Sequence, residues 1–166
     1  KRITVLHKGD RVKLLSNNSK WVAVEVNGRV GYTQGRYISV KNGGTASDTT
    51  VTKGESVVNY ALKFVGNPYR WGGTSLTRGA DCSGFVMSVY RHFGKSLPHS
   101  SYAQRRVGRR VGSLSKAKPG DIICYSGHGA IYMGNNKVVH ASNPRDGIKI
   151  TKGAAYRSIV TIRRVF

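Results

Sequence analysis

Hydrophobic and polar residues alternate with a period of two through residues 1–40, and this alternation predicts short β-strands. The three clearest runs cover residues 11–15, 21–26 and 29–33. Asn27-Gly28 stands between the last two runs, and this dipeptide is typical of a two-residue hairpin turn. We therefore expect a small antiparallel β-module over residues 1–40. A linker rich in Gly, Ser and Thr is expected over 41–53.

After the linker the hydrophobic period changes to that of an α-helix. Apolar residues recur at helical spacing from Val57 to Val65, and Gly66-Asn67-Pro68 is expected to end this helix. A second helix is predicted over 82–93, with Gly94 just past its end. Strand-like runs then follow at 121–125, 129–134, 137–140, 147–151 and 158–165. Helices followed by an antiparallel sheet predict an α+β domain over 54–166.

The composition restricts the class of partner. Twenty-eight Lys and Arg residues stand against 7 Asp and Glu, which gives a formal net charge of +21. Such a chain is expected to meet nucleic acid, an acidic membrane surface or an acidic polymer. A hydrophobic content of 39% argues against disorder, and no apolar run is long enough for a membrane span. The acids are spread singly, which disfavours both a two-carboxylate glycosidase and a carboxylate-rich cation site.

The densest basic run covers residues 105–110, and only Tyr102 offers an aromatic ring nearby. Nucleic-acid binding is expected to combine such charge with exposed aromatic residues or a known reader fold. We therefore interpret the run as a solvated face whose attraction is for an acidic polymer, and we do not expect a nucleic-acid partner.

Cys82 stands where the second helix is predicted to begin, after a glycine-bearing loop. The helix dipole and free backbone N–H groups favour a thiolate there, so we expect a lowered thiol pKa and a nucleophilic cysteine. His128 and His140 lie on two strands predicted to form a hairpin, and their even separation places both on one face. They are candidates for a general base and its orienting partner.

Other interpretations of these residues are open from the sequence. Cys124 lies inside an apolar run and is expected to be a small buried residue. A disulfide between Cys82 and Cys124 would remove the nucleophile, and a zinc site built from Cys82, His128 and His140 is a minor alternative. The remaining histidines are expected to be ordinary surface residues: His7, His92 and His99.

Several separated motifs resemble the NlpC/P60 family of cell-wall cysteine peptidases. Asp-Cys-Ser-Gly-Phe-Val at 81–86 resembles that family's nucleophile motif, and Asn-Pro-Tyr-Arg-Trp-Gly-Gly at 67–73 resembles its PYxWGG segment. Further matches follow in the family's order, at Leu97-Pro98, Gln104, 118–121, 127–132 and 139–142. The resemblance covers about residues 55–166, and an ordered set of this kind is specific.

The resemblance implies a papain-like α+β fold with Cys82 as nucleophile, His128 as general base and His140 as the orienting residue. It also implies that substrate contacts come from Tyr69, Trp71, Asp81 and Ser83. The implied activity is cleavage of the peptidoglycan stem peptide between D-glutamate and the diamino acid, with no metal or cofactor. The implied setting is extracellular and wall-associated, with anionic wall polymers as a second partner, no membrane span and a monomeric state.

Two further features qualify this expectation. Residues 31–38 resemble the end of a bacterial SH3 domain, so the module at 1–40 is expected to be SH3-like, although its usual opening strand is absent ahead of Lys1. Two alternative functions remain: an amidase of the CHAP type that cuts elsewhere in peptidoglycan, and a non-catalytic wall-binding protein that retains the motifs.

Overall fold

The computed structural model describes residues 13–18, 21–26, 29–34 and 52–166. The chain divides into two compact units, Lys1–Val51 and Thr52–Phe166. Of the predicted linker over 41–53, only Thr52 and Lys53 fall among the described residues, and they begin the second unit.

The described residues of the first unit form a three-stranded antiparallel sheet in the order β1-β2-β3. Its strands are β1 (Lys13–Asn18), β2 (Trp21–Val26) and β3 (Arg29–Gln34). Val26 pairs with Arg29 across the second and third strands, which confirms the predicted hairpin. The Asn27-Gly28 dipeptide itself lies outside the described residues, as do residues 11 and 12 of the first predicted strand.

Two helices precede the main sheet of the second unit. Helix α1 spans Lys53–Leu62, and its N-cap Thr52 forms a reciprocal capping box with Glu55. The helix ends four residues before Gly66, because tighter turns replace the helical hydrogen bonds after Leu62. Helix α2 spans Cys82–His92, within one residue of the prediction. Gly94 follows its C-cap with φ of +71°, a left-handed conformation that glycine adopts without strain.

The second unit contains a six-stranded antiparallel sheet in the order β10-β9-β8-β7-β11-β6. A separate two-stranded ribbon, β4 (Thr74–Ser75) with β5 (Gly79–Ala80), lies in the loop before α2. The strands of the large sheet are β6 (Arg109–Val111), β7 (Ile122–Tyr125), β8 (His128–Gly134), β9 (Lys137–Asn143), β10 (Gly147–Lys152) and β11 (Ile159–Arg164). All five predicted strands are present, so the predicted α+β class is confirmed.

Strand β6 was not expected, because residues 105–110 were interpreted as a solvated face. It lies at the edge of the sheet, where Arg109 and Arg110 are exposed and only Val111 is buried. With a single buried residue, the strand has no alternation of hydrophobic and polar residues from which it could be predicted. The tight turn between β8 and β9 is formed as predicted: Asn135 and Asn136 have φ of 49° and 55°, the left-handed pair that a type I′ turn requires.

The core has two parts, and the central strands contribute to both. Alternate residues of β7, Ile122 and Cys124, join a cluster with Phe85, Val86 and other residues of the two helices. The residues between them and after them, Ile123 and Tyr125, join a second cluster. Since side chains alternate across a strand, these clusters lie on opposite faces of the sheet. The sheet is therefore buried on both faces and holds α2 firmly against one of them.

Within the described ranges, no helix has the length and apolar character that crossing a bilayer requires.

Candidate active site

Cys82 is the first residue of α2 and is 8% exposed. Its Sγ lies 4.0 Å from the carbonyl oxygen of Gly127, in the segment just before β8. The backbone N–H groups of Gly129, Ser83 and Cys82 lie close enough to the sulfur to favour its charged form and so act to lower its pKa. The helix start and the β8 segment therefore meet at this thiol.

Burial raises the pKa of the Cys82 thiol, and the nearby charge of Asp81 acts in the same direction. The N–H groups of Gly129 and Ser83 oppose this shift without reversing it. The expected lowering of the thiol pKa at the helix N-terminus is therefore wrong for the free protein, because desolvation outweighs the favourable backbone dipoles. In the resting protein the sulfur is a neutral thiol at pH 7.

His128 and His140 form a hydrogen-bonded pair. Nε2 of His128 lies 2.7 Å from Nδ1 of His140, and the side chains are 4% and 1% exposed. Antiparallel pairing of β8 with β9 sets Ile131 opposite Val139, which brings the two histidines to the same end of the hairpin. Burial lowers the pKa of His128 to about 4 and that of His140 to about 3. Both imidazoles are therefore neutral at pH 7 and able to accept a proton.

Two further side chains contact His140. Its Nε2 lies 2.8 Å from Thr151 Oγ1 on β10, and its Nδ1 lies 3.4 Å from the hydroxyl of Tyr156. Sequence reasoning missed both. The signal for Thr151 was cross-strand register: Lys149 pairs with His140, so Thr151 is the diagonal neighbour on the same face.

Asp81 is the N-cap of α2 and joins three segments of the chain. Its Oδ1 accepts from the Gly84 N–H at 2.7 Å and from the Ser83 hydroxyl at 3.0 Å. Its Oδ2 accepts from the Gly72 N–H at 3.0 Å. His99 Nε2 lies 3.0 and 3.1 Å from the two oxygens. His99 is exposed, as expected of a surface histidine, but it is not an ordinary one, because its ring is bonded to the residue beside Cys82.

The Asp81 carboxylate is held in its charged form. Burial acts to raise its pKa, but hydrogen bonds from Gly84, His99 and Ser83 outweigh burial and leave the pKa below its usual value. With four donors around two oxygens, its acceptor sites are largely filled. His92, by contrast, stacks on Tyr60 with ring centroids 3.7 Å apart, in a cluster that does not include Cys82.

Gln104 supports the start of α2 through hydrogen bonds of its side chain. The side chain is fully buried, and its Nε2 donates to the carbonyl oxygens of Ser83 and Pro98 at 3.0 and 2.9 Å. Its Oε1 has no partner among the described residues. A Cβ added at Gly129 would lie 3.4 Å from that oxygen, so glycine leaves space beside it.

The two aromatic residues of the 67–73 segment are placed differently. Tyr69 forms a parallel bridge with Ala80, and burial together with electrostatic interaction with Cys82 and Asp81 raises the pKa of its phenol. Tyr69 is therefore within electrostatic reach of the thiol. Trp71 is 86% exposed and offers a free aromatic face near the loop that Asp81 holds.

Cys124 is fully buried, and its Sγ lies 3.8 Å from the carbonyl oxygen of Gln104. Both cysteines are free thiols, so the alternative of a disulfide between them is wrong. Within the described part of the chain, no three His, Cys, Asp or Glu side chains come together in a way that could hold a metal ion.

A thiol at a helix start with an imidazole on a neighbouring strand resembles the Cys-His part of the papain-like arrangement, and here a second histidine, His140, takes the place of the third residue. Comparison with known proteins agrees. The family model described as "NlpC/P60 family" matches residues 66–162. The NlpC/p60 domain of the peptidoglycan hydrolase SagA is 30% identical, with a TM-score of 0.61 over 68% of this chain and 99% of that one. The chain therefore belongs to the NlpC/P60 family.

Curated relatives are similar over part of their length. A probable endopeptidase of Mycobacterium tuberculosis is 43% identical over 90 residues, which cover 52% of this chain and 23% of the relative. The gamma-DL-glutamyl hydrolase of Bacillus subtilis is 34% identical over 145 residues, covering 82% of this chain and 34% of the relative. The chain thus spans about a quarter to a third of the length of these two proteins.

Proposed function

We propose that this protein is a peptidoglycan hydrolase, a cysteine endopeptidase that cuts the stem peptide at the bond between γ-D-glutamate and the diamino acid. The observation that carries the proposal is the position of Cys82 at the start of α2, against the segment that contains His128. His128 is in turn bonded to His140. The family and the names of its curated relatives support the reaction class.

The proposed reaction begins with both Cys82 and His128 uncharged. Burial keeps the Cys82 thiol protonated and the His128 imidazole neutral, so the proton moves to His128 as sulfur attacks the amide carbonyl. The C–N bond then breaks, His128 returns the proton to the leaving amine, and a thioester with Cys82 remains. Water, deprotonated by His128, hydrolyses the thioester and restores the thiol. His140 keeps the His128 ring oriented throughout.

The oxyanion of the tetrahedral intermediate needs donors close to Cys82. We assign this role to the backbone N–H groups at the start of α2 and to the Tyr69 hydroxyl, whose raised pKa keeps its proton in place. The N–H groups adjoin the sulfur, and Tyr69 is close enough to Cys82 for the thiol to influence the pKa of its phenol. A preorganised donor of this kind lowers the barrier without reorganisation during the reaction.

We propose that the stem peptide is recognised by Trp71, Asp81 and Ser83. The exposed indole of Trp71 can cover an apolar part of the peptide. The Ser83 hydroxyl donates to Asp81 and keeps its lone pairs, so it can accept from a substrate ammonium while Asp81 supplies the charge. The carboxylate acts mainly through its field, since Gly72, Gly84 and His99 already occupy its oxygens.

The bond that is cut is tested by digesting purified sacculi and identifying the released fragments by mass spectrometry. Fragments that end in D-glutamate, together with new amino termini on the diamino acid, support the proposal. Release of intact stem peptides from the glycan would instead identify the amidase alternative of the CHAP type. No release at all would favour the alternative of a non-catalytic wall-binding protein.

We further propose that the protein acts outside the cell, retained on anionic wall polymers. Within residues 52–166 there are four acids, and each has a partner away from the basic run: Glu55 in the α1 cap, Asp81 at α2, Asp121 with Arg164, and Asp146 with Lys149. The exposed side chains at the β6 edge are thus left without an acidic neighbour from this unit. An acidic polymer suits them.

The edge that would meet the polymer has a defined arrangement. Arg109 and Arg110 project from β6, opposite Arg164 and Arg163 of β11. Arg163 is held by the carbonyl oxygens of Val107 and Gly108 at 2.7 and 2.6 Å, and Arg164 by Asp121. The two β6 arginines therefore remain available to an external anion. We call Arg109 and Arg110 the basic edge.

For the rest of the chain, we propose that residues 1–40 form an SH3-like module, joined by a linker to a catalytic domain that begins with Thr52, the N-cap of α1. Three antiparallel strands among the described residues of the first unit are compatible with an SH3-like sheet. We propose that the protein is a monomer and requires no cofactor.

A further inference from the structure

The buried histidine pair is one part of a longer chain of hydrogen bonds. Thr151 Oγ1, His140 Nε2, His140 Nδ1 and His128 Nε2 follow one another, with contacts of 2.8 Å and 2.7 Å on either side of the His140 ring. Every nitrogen named is buried or partly buried, so water competes little for these contacts. The direction in which the protons point along this chain is therefore set by the protein itself.

A neutral imidazole has one N–H and one acceptor nitrogen, so only two proton arrangements satisfy both contacts. In the first, His128 carries its proton on Nε2 and donates to Nδ1 of His140, which donates from Nε2 to Thr151. In the second, Thr151 donates to His140 Nε2, and His140 donates from Nδ1 to His128 Nε2. The second arrangement places the His128 proton on Nδ1, leaving no nitrogen free to take the proton of Cys82.

A second contact favours the first arrangement. The Tyr156 hydroxyl lies 3.4 Å from Nδ1 of His140, on the same nitrogen that faces His128. Burial raises the pKa of Tyr156, so the phenol keeps its proton and can donate it. Nδ1 of His140 can receive this O–H only in the first arrangement, in which it carries no proton. The Nε2 of His140 then carries the proton and faces Thr151, whose oxygen has lone pairs to receive it.

We propose that Thr151 is a positioning residue that fixes the tautomer of the histidine pair, accepting the Nε2–H of His140 so that His128 keeps Nδ1 unprotonated for Cys82. Thr151 reaches this position because it is the diagonal cross-strand neighbour of His140 on β10. Without the hydroxyl, the active arrangement buries the Nε2–H of His140 with no acceptor, and the free energy of that unpaired donor disfavours it. The inactive tautomer then becomes populated, although every residue of the proposed triad remains in place.

The expected fall in activity on loss of Thr151 rests on the proposed function. The assignment of the histidine tautomers does not depend on it. Protein labelled with ¹⁵N-histidine reports which ring nitrogen carries the proton through its two-bond ¹H–¹⁵N correlations. We expect both His128 and His140 of the unmodified protein to be protonated on Nε2. Protonation on Nδ1 of His140 would overturn the proposal, whatever the protein cuts.

The variant Thr151→Val removes the acceptor with little change in volume. We expect kcat to fall about 10- to 100-fold with KM nearly unchanged, and Nδ1–H signals to appear for the histidine pair. Thr151→Ser keeps a hydroxyl and should restore most of kcat. Thr161→Val, on β11, is the matched control and should retain activity. Equal kcat in Thr151→Val and Thr161→Val would contradict the proposal.

Two readouts separate the possible failures. If the unmodified protein does not cleave sacculi but its NMR spectrum shows the expected tautomers, the proposed function is overturned. The tautomer assignment then still stands. Should Thr151→Val fail to fold, the spectrum of the unmodified protein still decides between the two proton arrangements.

Discussion

His99 Nε2 lies 3.0 Å from Oδ1 of Asp81, the residue that caps the helix on which Cys82 stands. The contact joins the loop after α2 to the N-terminus of α2. It lies beside the hydrogen bond by which Asp81 also holds the Gly72 loop. The thiol is thus positioned by a carboxylate that is itself held from several directions.

His99→Ala is expected to lower both stability and kcat/KM, because Asp81 loses one donor and keeps the others. We expect a loss of about 1 kcal/mol in the free energy of unfolding and a several-fold drop in kcat/KM. Urea denaturation and steady-state kinetics measure the two effects. His92→Ala, which removes the ring stacked on Tyr60, is the control for activity. Equal kcat/KM in the two variants would show that the His99 contact does not position the site.

The reactivity of Cys82 should follow its raised pKa. A raised pKa means less thiolate at any given pH, so alkylation by iodoacetamide should be slower at pH 7 than for free cysteine. Its rate should still be rising above pH 9. The measurement is best made on Cys124→Ser, which removes the other thiol. Fast alkylation at pH 6 would instead indicate a preformed thiolate–imidazolium pair and contradict the neutral resting state.

Asp121 and Arg164 form a bidentate ion pair at 2.6 Å, with side chains 2% and 13% exposed. Asp121→Asn should cost about 3 kcal/mol or more of unfolding free energy, because it leaves the Arg164 guanidinium poorly compensated between β7 and β11. Asp146→Asn, which breaks a more exposed pair with Lys149, should change stability little. Urea denaturation of both variants checks this. Equal losses would mean that burial of the Asp121 pair is unimportant.

Attachment to wall preparations should depend on the basic edge. We expect Arg109→Gln/Arg110→Gln to reduce binding about tenfold at low salt, and less at high salt, since screening weakens exposed charges. The hydrolysis of a small soluble peptide should be unchanged. Lys63→Gln/Arg78→Gln removes the same charge from other exposed positions and is the matched control. Equal loss of binding in both double variants would assign retention to net charge, not to this edge.

The fold could be predicted where one periodicity extends over several residues. The β8–β9 hairpin followed from alternation on both sides of Asn135-Asn136, and α2 from apolar spacing after Cys82. Strand β6 could not be predicted, because an edge strand with one buried residue shows no pattern. Strand β6 forms through its hydrogen bonds to β11, which is distant in the sequence.

The positions of the proposed site residues could be predicted, and the contacts that support them could be predicted less well. Cys82, His128 and His140 followed from a helix start and one hairpin. Thr151 and His99 reach the site through tertiary contacts, across β10 and from the loop after α2, and neither leaves a local signal. The direction of the Cys82 pKa shift was wrong because the amount of burial is also a tertiary property.

The central proposal is tested most directly by cleavage of a synthetic stem peptide. The peptide is L-alanyl-γ-D-glutamyl-diamino acid, with or without further stem residues after the diamino acid. Three proteins are compared: the unmodified chain, Cys82→Ala and the matched control Cys124→Ser. We expect the unmodified chain and Cys124→Ser to release the diamino acid part at similar rates. The rate for Cys82→Ala should be lower by about 10⁴-fold or more. Cleavage by purified Cys82→Ala at the rate of the unmodified chain would contradict the assignment of Cys82 as nucleophile.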